Sequence, residues 1–304
     1  MTRPAVTVVI PTHDRPELMK RAVESVIGQD YDGPIEIIVV FDACAPVLPE
    51  VELGLRHTLA AVENGRTRGL AGARNSGILA ATHDYIAFLD DDDYWLKDKL
   101  DYQLAAFEEW PETLLVGTAM RVDDGRTSHD RLLPYSRVTH DDLVGDRIAA
   151  LHSSSLVFRR SALFGAVGLV DEQLPRSYGE DYDMLLRTAR VQPIVAVNLP
   201  LVVVSWQGQS YFFGRWSLYA EALQYLLAKH PQFADNRRAA GRIESQVAFA
   251  LAASGQPRQA RTWARRSLSH DALQVKAVLA YAISLRLVSS DRVVRVAQRL
   301  GRGI

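Results

Sequence analysis

The sequence predicts an α/β protein: a mostly parallel central sheet with helices on both faces, followed by a C-terminal α-helical region. Three observations predict it. Short apolar, β-branched runs alternate with amphipathic segments through the first hundred residues. A polar or charged residue follows each run, as expected where the strands of a parallel sheet all end on one edge. From about residue 206 strand-like runs give way to helical periodicity rich in Ala, Leu and Arg.

The strand candidates in order are "AVTVVI" (5–10), "IEIIVVF" (35–41), "TLAAV" (58–62) and "DYIAFL" (84–89), the third carrying the weakest pattern. Between the first two lies "RPELMKRAVESVIGQ" (15–29), a helix with Leu18, Ala22, Val26 and Ile27 expected on its inner face. Between the last two lies "AGARNSGILAAT" (71–82), where Gly69, Gly72 and Gly77 let the backbone turn and a helix sit close to the sheet. A helix follows in "LKDKLDYQLAAFEEW" (96–110) through Leu96, Leu100, Leu104 and Phe107, then a strand in "LLVGTAMRV" (114–122). Residues 123–147 read as polar exposed loops without chemistry. The stretch 153–172 predicts a strand and a short helix, and "GEDYDMLLRTARV" (179–191) a helix with acids in its first turn. The expected division is an α/β domain over 1–205 and a helical region over 206–304, in which residues 250–268 resemble one tetratricopeptide-type hairpin without a second copy.

Composition narrows the function classes. At 304 residues and 48% hydrophobic the chain can bury a full core. Its 35 Lys and Arg balance 36 acids, net −1, which gives no hint of a nucleic-acid partner. The lone Cys44 excludes an intrachain disulfide, the histidines show no zinc spacing, and a cytoplasmic location fits best. The apolar run before His13 is too short for a signal peptide, and "AVLAYAISL" (277–285) falls far below the ~20 residues of a spanning helix.

The chemistry concentrates at the strand ends: Pro11 to Asp14, Asp42, Asn64 and then Asp90 to Asp93. Four consecutive carboxylates repel one another, and beside an apolar layer their pKa values rise unless positive charge sits among them, so a cation belongs there. Two overlapping D-x-D pairs suit Mg2+ or Mn2+, which take oxygen ligands and are commonly shared with substrate phosphates. A solvated acidic turn is the plain alternative, and the strand-end position is what favours a site. An EF-hand fails because Tyr94 and Trp95 stand where a third oxygen ligand and a glycine are needed. A dinucleotide fingerprint fails because "PTHDRPEL" has no glycine.

Taken together, "VTVVIPTHDRPELMKRAVESVIGQ", "IIVVFD", "GLAGARNSGI", "YIAFLDDDDYW" and "FRRSALFGAVGLVDE…GEDYDMLLR" resemble the family 2 glycosyltransferases of the GT-A fold, over residues 5 to about 205. The resemblance implies an inverting, Mn2+- or Mg2+-dependent transfer from a nucleotide-diphosphate sugar, foremost a UDP-sugar. The acceptor is a sugar, lipid-linked or small-molecule hydroxyl, in cell-envelope polysaccharide or glycoconjugate synthesis. By resemblance Asp92 is the main metal ligand with Asp90, while Asp90 and Asp91 also meet the metal's waters or the donor's ribose and sugar, and Asp93 orients the loop. Pro11, Thr12 and Arg15 match the nucleotide-binding turn, and Asp42 the acid that accepts from the base. Asn64 and Arg74 belong to the donor site. Glu180 and Asp181 match the family's "ED" pair, in which the aspartate takes the acceptor's proton as general base, while Glu180 serves the positive end of the helix.

The chain also departs from that pattern. "DACAP" (42–46) removes polar contacts to the nucleoside, and "VVVSWQGQSYFFGRW" (202–216) has no histidine to complete a metal site. Trp206, Tyr211, Phe212, Phe213 and Trp216 suit an acceptor-facing wall or ordinary core packing. Arg286, Arg292, Arg295, Arg299 and Arg302 against Asp291 make a basic end suited to peripheral contact with an anionic leaflet, a solvated helix face being the simpler explanation. A non-catalytic sugar-nucleotide binding or scaffolding module is the alternative function, with the intact Asp92 and Asp181 against it. A sugar-1-phosphate nucleotidyltransferase would need a glycine-rich loop after the first strand, and none is present.

Overall fold

A computed structural model describes residues 3–206 and 215–299. The elements run β1 (Val6–Thr12), α1 (Pro16–Ile27), β2 (Ile35–Phe41), β3 (His57–Glu63), α2 (Leu70–Ala80), β4 (Tyr85–Phe88), β5 (Tyr94–Trp95), α3 (Lys99–Glu109) and β6 (Leu115–Asp123). They continue with β7 (Ser128–Arg131), β8 (Arg137–Val138), α4 (His140–Gly145), β9 (Val157–Arg159), α5 (Arg160–Leu163), α6 (Glu180–Val191) and β10 (Ile194–Ser205). Helices α7 (Trp216–Lys229), α8 (Arg237–Ala253), α9 (Pro257–His270), α10 (Val275–Ser284) and α11 (Ser290–Arg299) complete the chain. Two compact units result. One holds the sheet through Ser205; the other holds the helices from α7 onward with the short stretches 144–146 and 173–179.

The sheet has strand order β3-β2-β1-β4-β9-β6-β10-β5, with β7 on β6 and β8 on β10. β3, β2, β1 and β4 pair in parallel. β9 runs against β4, β6 runs against β9, and β10 runs parallel to β6. Two reversals restore the original sense, so six of the eight strands on this path (all but β9 and β5) point one way and end on one edge. β1, central and covered on both faces, is buried at every residue. β3, the weakest pattern in the sequence, is the edge strand and alternates half-buried with exposed residues.

Helix α1 opens on Pro16, whose missing N–H has no intrahelical partner to lose. It buries Met19, Ala22, Val23 and Val26: Ala22 and Val26 face inward as expected, whereas Leu18 is exposed and Met19, one position on, is enclosed in its place. Helix α2 lies against β1 and β2 because of Gly77, where a Cβ would stand 2.3 Å from Val9 Cγ1. A Cβ at Gly72 would strike the Thr67 carbonyl at 1.8 Å, so the tight approach into α2 also requires glycine.

Residues 123–147 correct the expectation of plain loops. They contain β7, β8 and α4, and bury Leu133, Val138, Leu143 and Val144. Charge density hid these elements, because the inward apolar residues come singly or in pairs too short to show a period. In the helical unit α8 and α9 pack as a helical hairpin, turning at Gly255 with φ +78°. Ser267 Oγ donates to the Gly241 carbonyl at 2.7 Å across it.

Candidate active site

Four strand ends deliver polar groups to one edge. Asp42, directly after β2, accepts from Asn64 Nδ2 at 2.7 Å and from the Gly69 amide at 2.9 Å, tying the end of β2 to the entry of α2. Asn64 is the hub of that loop: its Oδ1 accepts from Ser76 Oγ at 2.8 Å and from the Arg66 amide at 3.0 Å. Arg66 pairs with Glu172, which also accepts from Asn75 Nδ2 at 2.6 Å. Burial alone would raise the Glu172 carboxyl, but the bonds from Arg66, Asn75 and Thr67 hold it at about 2.

The acidic run after β4 lies among cations contributed by the protein. Asp91 accepts from Thr12 Oγ1 at 2.8 Å and from Arg15 at 3.2 Å, and Arg15 also reaches Asp92 at 3.0 Å. Arg21 donates to the Asp92 carbonyl at 2.6 Å and to Ser205 Oγ at 3.1 Å, joining α1, the acidic loop and the end of β10. Arg74, buried, stretches between Asp90 at 2.5 Å and Glu180. Pro11 is buried in β1 opposite Val40. The sequence argument that a cation must sit here is therefore met in part by three arginines.

Burial and arginine contact divide the carboxylates by charge. Burial pushes Asp91 up to about 6 and Asp93 to about 7, and it raises Asp92 as well. Burial acts the same way on Asp90, but Arg74 outweighs it and holds that carboxyl below its ordinary value. Glu180, buried beside Asp181 and Asp90, rises to about 7 despite Arg74. Asp181 is held low, against burial, by Arg147, which contacts both carboxylate oxygens at 3.0 Å.

Sequence reasoning missed a second group. β9 runs antiparallel to β4, so it enters the sheet at the edge where the parallel strands leave it, and residues 152–155 arrive at the acidic loop from the opposite chain direction. Ser153 Oγ donates to Asp90 at 2.8 Å, and Ser154 Oγ donates to Asp93 at 2.6 Å. His152 Nδ1 lies 3.4 Å from Asp93. The imidazole also acts electrostatically on Asp90, Asp92 and Asp181. Asp90, Asp93 and His152 each offer an atom to a ligand set whose members lie within 4.8 Å of one another. Carboxylate and imidazole donors at this separation fit a divalent ion, and His152 offers an imidazole where "VVVSWQGQSYFFGRW" (202–216) has none. Arg147 was missed too, because nothing in "HDDLVGDR" (140–147) distinguishes it from a surface cation.

Trp216 packs edge-on against Phe249 at 5.6 Å between ring centres and so belongs to helix packing. Trp206 is half exposed, with Arg131 lying 4.3 Å over its ring. Tyr211, Phe212, Phe213, Arg302 and the side chain of Arg299 fall outside the described residues.

A family model, glycosyl transferase family 2, matches residues 7–164, just over half of the chain. The chain belongs to that family. An uncharacterized glycosyltransferase of Haemophilus influenzae is 26% identical over 200 residues, covering 63% of this chain and 70% of that protein. The Escherichia coli UDP-Glc:alpha-D-GlcNAc-diphosphoundecaprenol beta-1,3-glucosyltransferase WfaP is 32% identical over 104 residues, 34% of this chain and 41% of its own. The amylovoran biosynthesis glycosyltransferase AmsE of Erwinia amylovora is 28% identical, covering 66% of this chain and 74% of that one. This chain spans 60–70% of the length of the Haemophilus and Rickettsia relatives.

Among solved structures, S. aureus TarS 1-349 in complex with UDP-GlcNAc superposes with a TM-score of 0.58 at 15% identity, covering 99% of this chain and 93% of that one. The mannosyltransferase PcManGT from Pyrobaculum calidifontis, in complex with GDP-Man and Mn2+, gives 0.55 at 18%, covering 98% and 85%. At these identities the likeness is one of fold.

Proposed function

We propose that the chain is an inverting, metal-dependent glycosyltransferase that moves a sugar from a nucleotide-diphosphate sugar, foremost a UDP-sugar, to an acceptor hydroxyl in cell-envelope polysaccharide or glycoconjugate synthesis. One observation carries the reading: the acidic run after β4 is joined to Asp181 through Asp90, Arg74, Glu180 and His152, so that donor-side and base-side carboxylates form a single buried electrostatic cluster. Relatives acting in amylovoran synthesis and on a diphosphoundecaprenol-linked sugar support the pathway class, and fold neighbours bound to UDP-GlcNAc or to GDP-Man with Mn2+ support the donor class.

In this reading Asp92 and Asp90 hold Mn2+ or Mg2+, with Asp93 and His152 completing the set. The ion, when bound, neutralises charge that grows on the departing diphosphate. Asp181, kept ionised by Arg147, takes the proton of the acceptor hydroxyl as its oxygen attacks the anomeric carbon. The bond from that carbon to the diphosphate breaks with its electron pair leaving on the phosphate oxygen, and the configuration inverts. Pro11, Thr12, Arg15, Asp42 and Asn64 line the edge where the nucleotide lies.

Calorimetry with UDP, GDP, dTDP and CMP in the presence and absence of Mn2+ tests the reading. Asp92→Asn is expected to abolish the metal-dependent part of nucleotide binding, whereas Asp181→Asn keeps binding and loses transfer. Equal nucleotide affinity in Asp92→Asn and wild type, with and without Mn2+, would overturn the metal assignment.

A further inference from the structure

Helix α10 carries the longest apolar run of the C-terminal region, too short to span a bilayer. Its outward face is as apolar as its inward one. Ala277, Ala280 and Ile283 are buried, while Val275, Val278 and Leu285 recur on the opposite side at 68%, 54% and 49% exposure. Leu287, just beyond the helix, stands 72% exposed. A helix apolar all round is ordinarily enclosed, and an exposed apolar face of this extent marks an interaction surface.

The charge of the surroundings says what covers it. Residues 257–304 hold ten of the chain's 35 Lys and Arg but two of its 36 acids, so this segment carries +8 and the remainder −9. The described cations lie beside α10 on α9 and in the chain that follows it. On α9, Arg265 reaches the Tyr281 hydroxyl at 3.3 Å and Arg261 reaches the Ser284 carbonyl at 3.3 Å. Beyond α10, Arg286, Arg292 and Arg295 are exposed. Two such segments would repel each other, which disfavours a symmetric dimer through this face. Nucleic acid would satisfy the arginines but offers no apolar phase to Val275, Val278, Leu285 and Leu287.

We propose that α10, in a strongly basic segment that carries the arginines of α9 and α11, is a docking face for an anionic lipid surface, its apolar side chains entering the acyl boundary and the segment's guanidinium groups meeting lipid phosphates. The face is wider than the basic C-terminal end alone, because α11 turns Val294 inward and contributes mainly charge. The inference stands independently of the transfer chemistry.

The test is co-sedimentation of the full chain with vesicles of phosphatidylcholine alone or mixed with phosphatidylglycerol. The expected result is partition into the anionic vesicles that weakens with added salt. Arg292→Ser with Arg295→Ser should lower it about 25-fold at low salt, roughly fivefold per charge, with the deficit closing at high salt. Leu285→Ser with Leu287→Ser should lower it at every salt concentration. Both leucines are exposed, so helix packing is retained, and far-UV circular dichroism checks this. The inference is overturned if wild type partitions equally or not at all into the two vesicle types, or if the leucine pair changes nothing. It is also overturned if light scattering shows a dimer that the leucine pair dissociates. Nucleotide calorimetry on the same variants should be unchanged, which separates failure here from failure of the enzymatic reading.

Discussion

Replacing Arg74 with methionine removes the cation between Asp90 and Glu180 while keeping much of the buried volume. Removing one partner of a buried ion pair costs about 3–5 kcal/mol, because the remaining charge keeps its desolvation penalty. That is a large share of the ~5–15 kcal/mol typical of a folded domain. At about 2–4 °C per kcal/mol, the sheet unit should melt about 6–20 °C lower. The deficit must also depend on pH. Glu180 already has its carboxyl raised from 4.5 to about 7, so its stabilising contribution is complete below 4.5 and is lost as pH rises through 7. Without Arg74, Asp90 loses the group that holds it low and joins Glu180 on the raised side. The folded variant then binds more protons than the unfolded chain above pH 4, and its stability falls with rising pH. Urea denaturation followed by circular dichroism at pH 5 and pH 8 should therefore show the larger deficit at pH 8, with Arg74→Lys intermediate. A deficit below about 1 kcal/mol at pH 8, or one equal at both pH values, would refute the assignment of Arg74 as the counter-charge of the pair.

Two further outcomes follow from the same physics. Arg147→Ala removes the cation that keeps Asp181 ionised, so the acidic limb of the pH–rate profile should move to higher pH as transfer slows; an unmoved limb would separate Arg147 from the base. Lys99 is fully buried, with its Nζ bonded to Gln103 and 3.8 Å over the Trp95 ring, and burial lowers it well below 10.5. The depressed group is neutral in the folded state at pH values where the unfolded chain is still charged, so the Lys99 contribution to wild-type stability should climb with pH toward 10.5. Lys99→Met should flatten that climb, and parallel stability–pH curves for the two proteins would contradict a neutral Lys99.

The fold was legible because a parallel sheet writes each strand as an uninterrupted apolar run and places one polar residue after it, as at Asp42, Asn64 and Asp90. The acidic run could be located for the same reason. What could not be read is the material that reaches the edge from the other direction. His152, Ser153 and Ser154 precede an antiparallel strand, and a rule about residues following strands passes over them. Arg147 belongs to no periodic element and meets Asp181 only through tertiary packing. The inner face of α1 slipped by one position because Leu18 and Met19 are equally apolar, and only the sheet decides which is enclosed.

The four consecutive aspartates are not four copies of one group. Their side chains are 20%, 8%, 42% and 2% exposed in order from Asp90 to Asp93. Asp90 spends both oxygens on Arg74 and Ser153, and Asp93 spends both on Ser154 and the Ser205 amide. Asp91 closes onto Thr12 at the end of β1. These bonds fasten the loop to β9, β10 and β1, so replacing any of the three should disturb the frame as well as an ion that Asp90 and Asp93 would share. Asp92 alone among the four keeps substantial exposure, and its side chain pairs with Arg15, itself 43% exposed. An exposed ion pair is weak enough to exchange for a stronger one, so the group best placed to meet a cation or a diphosphate from outside is Asp92. The repulsion built into the run is therefore resolved twice: permanently for three members by hydroxyls, an amide and buried arginine, and reversibly for the fourth.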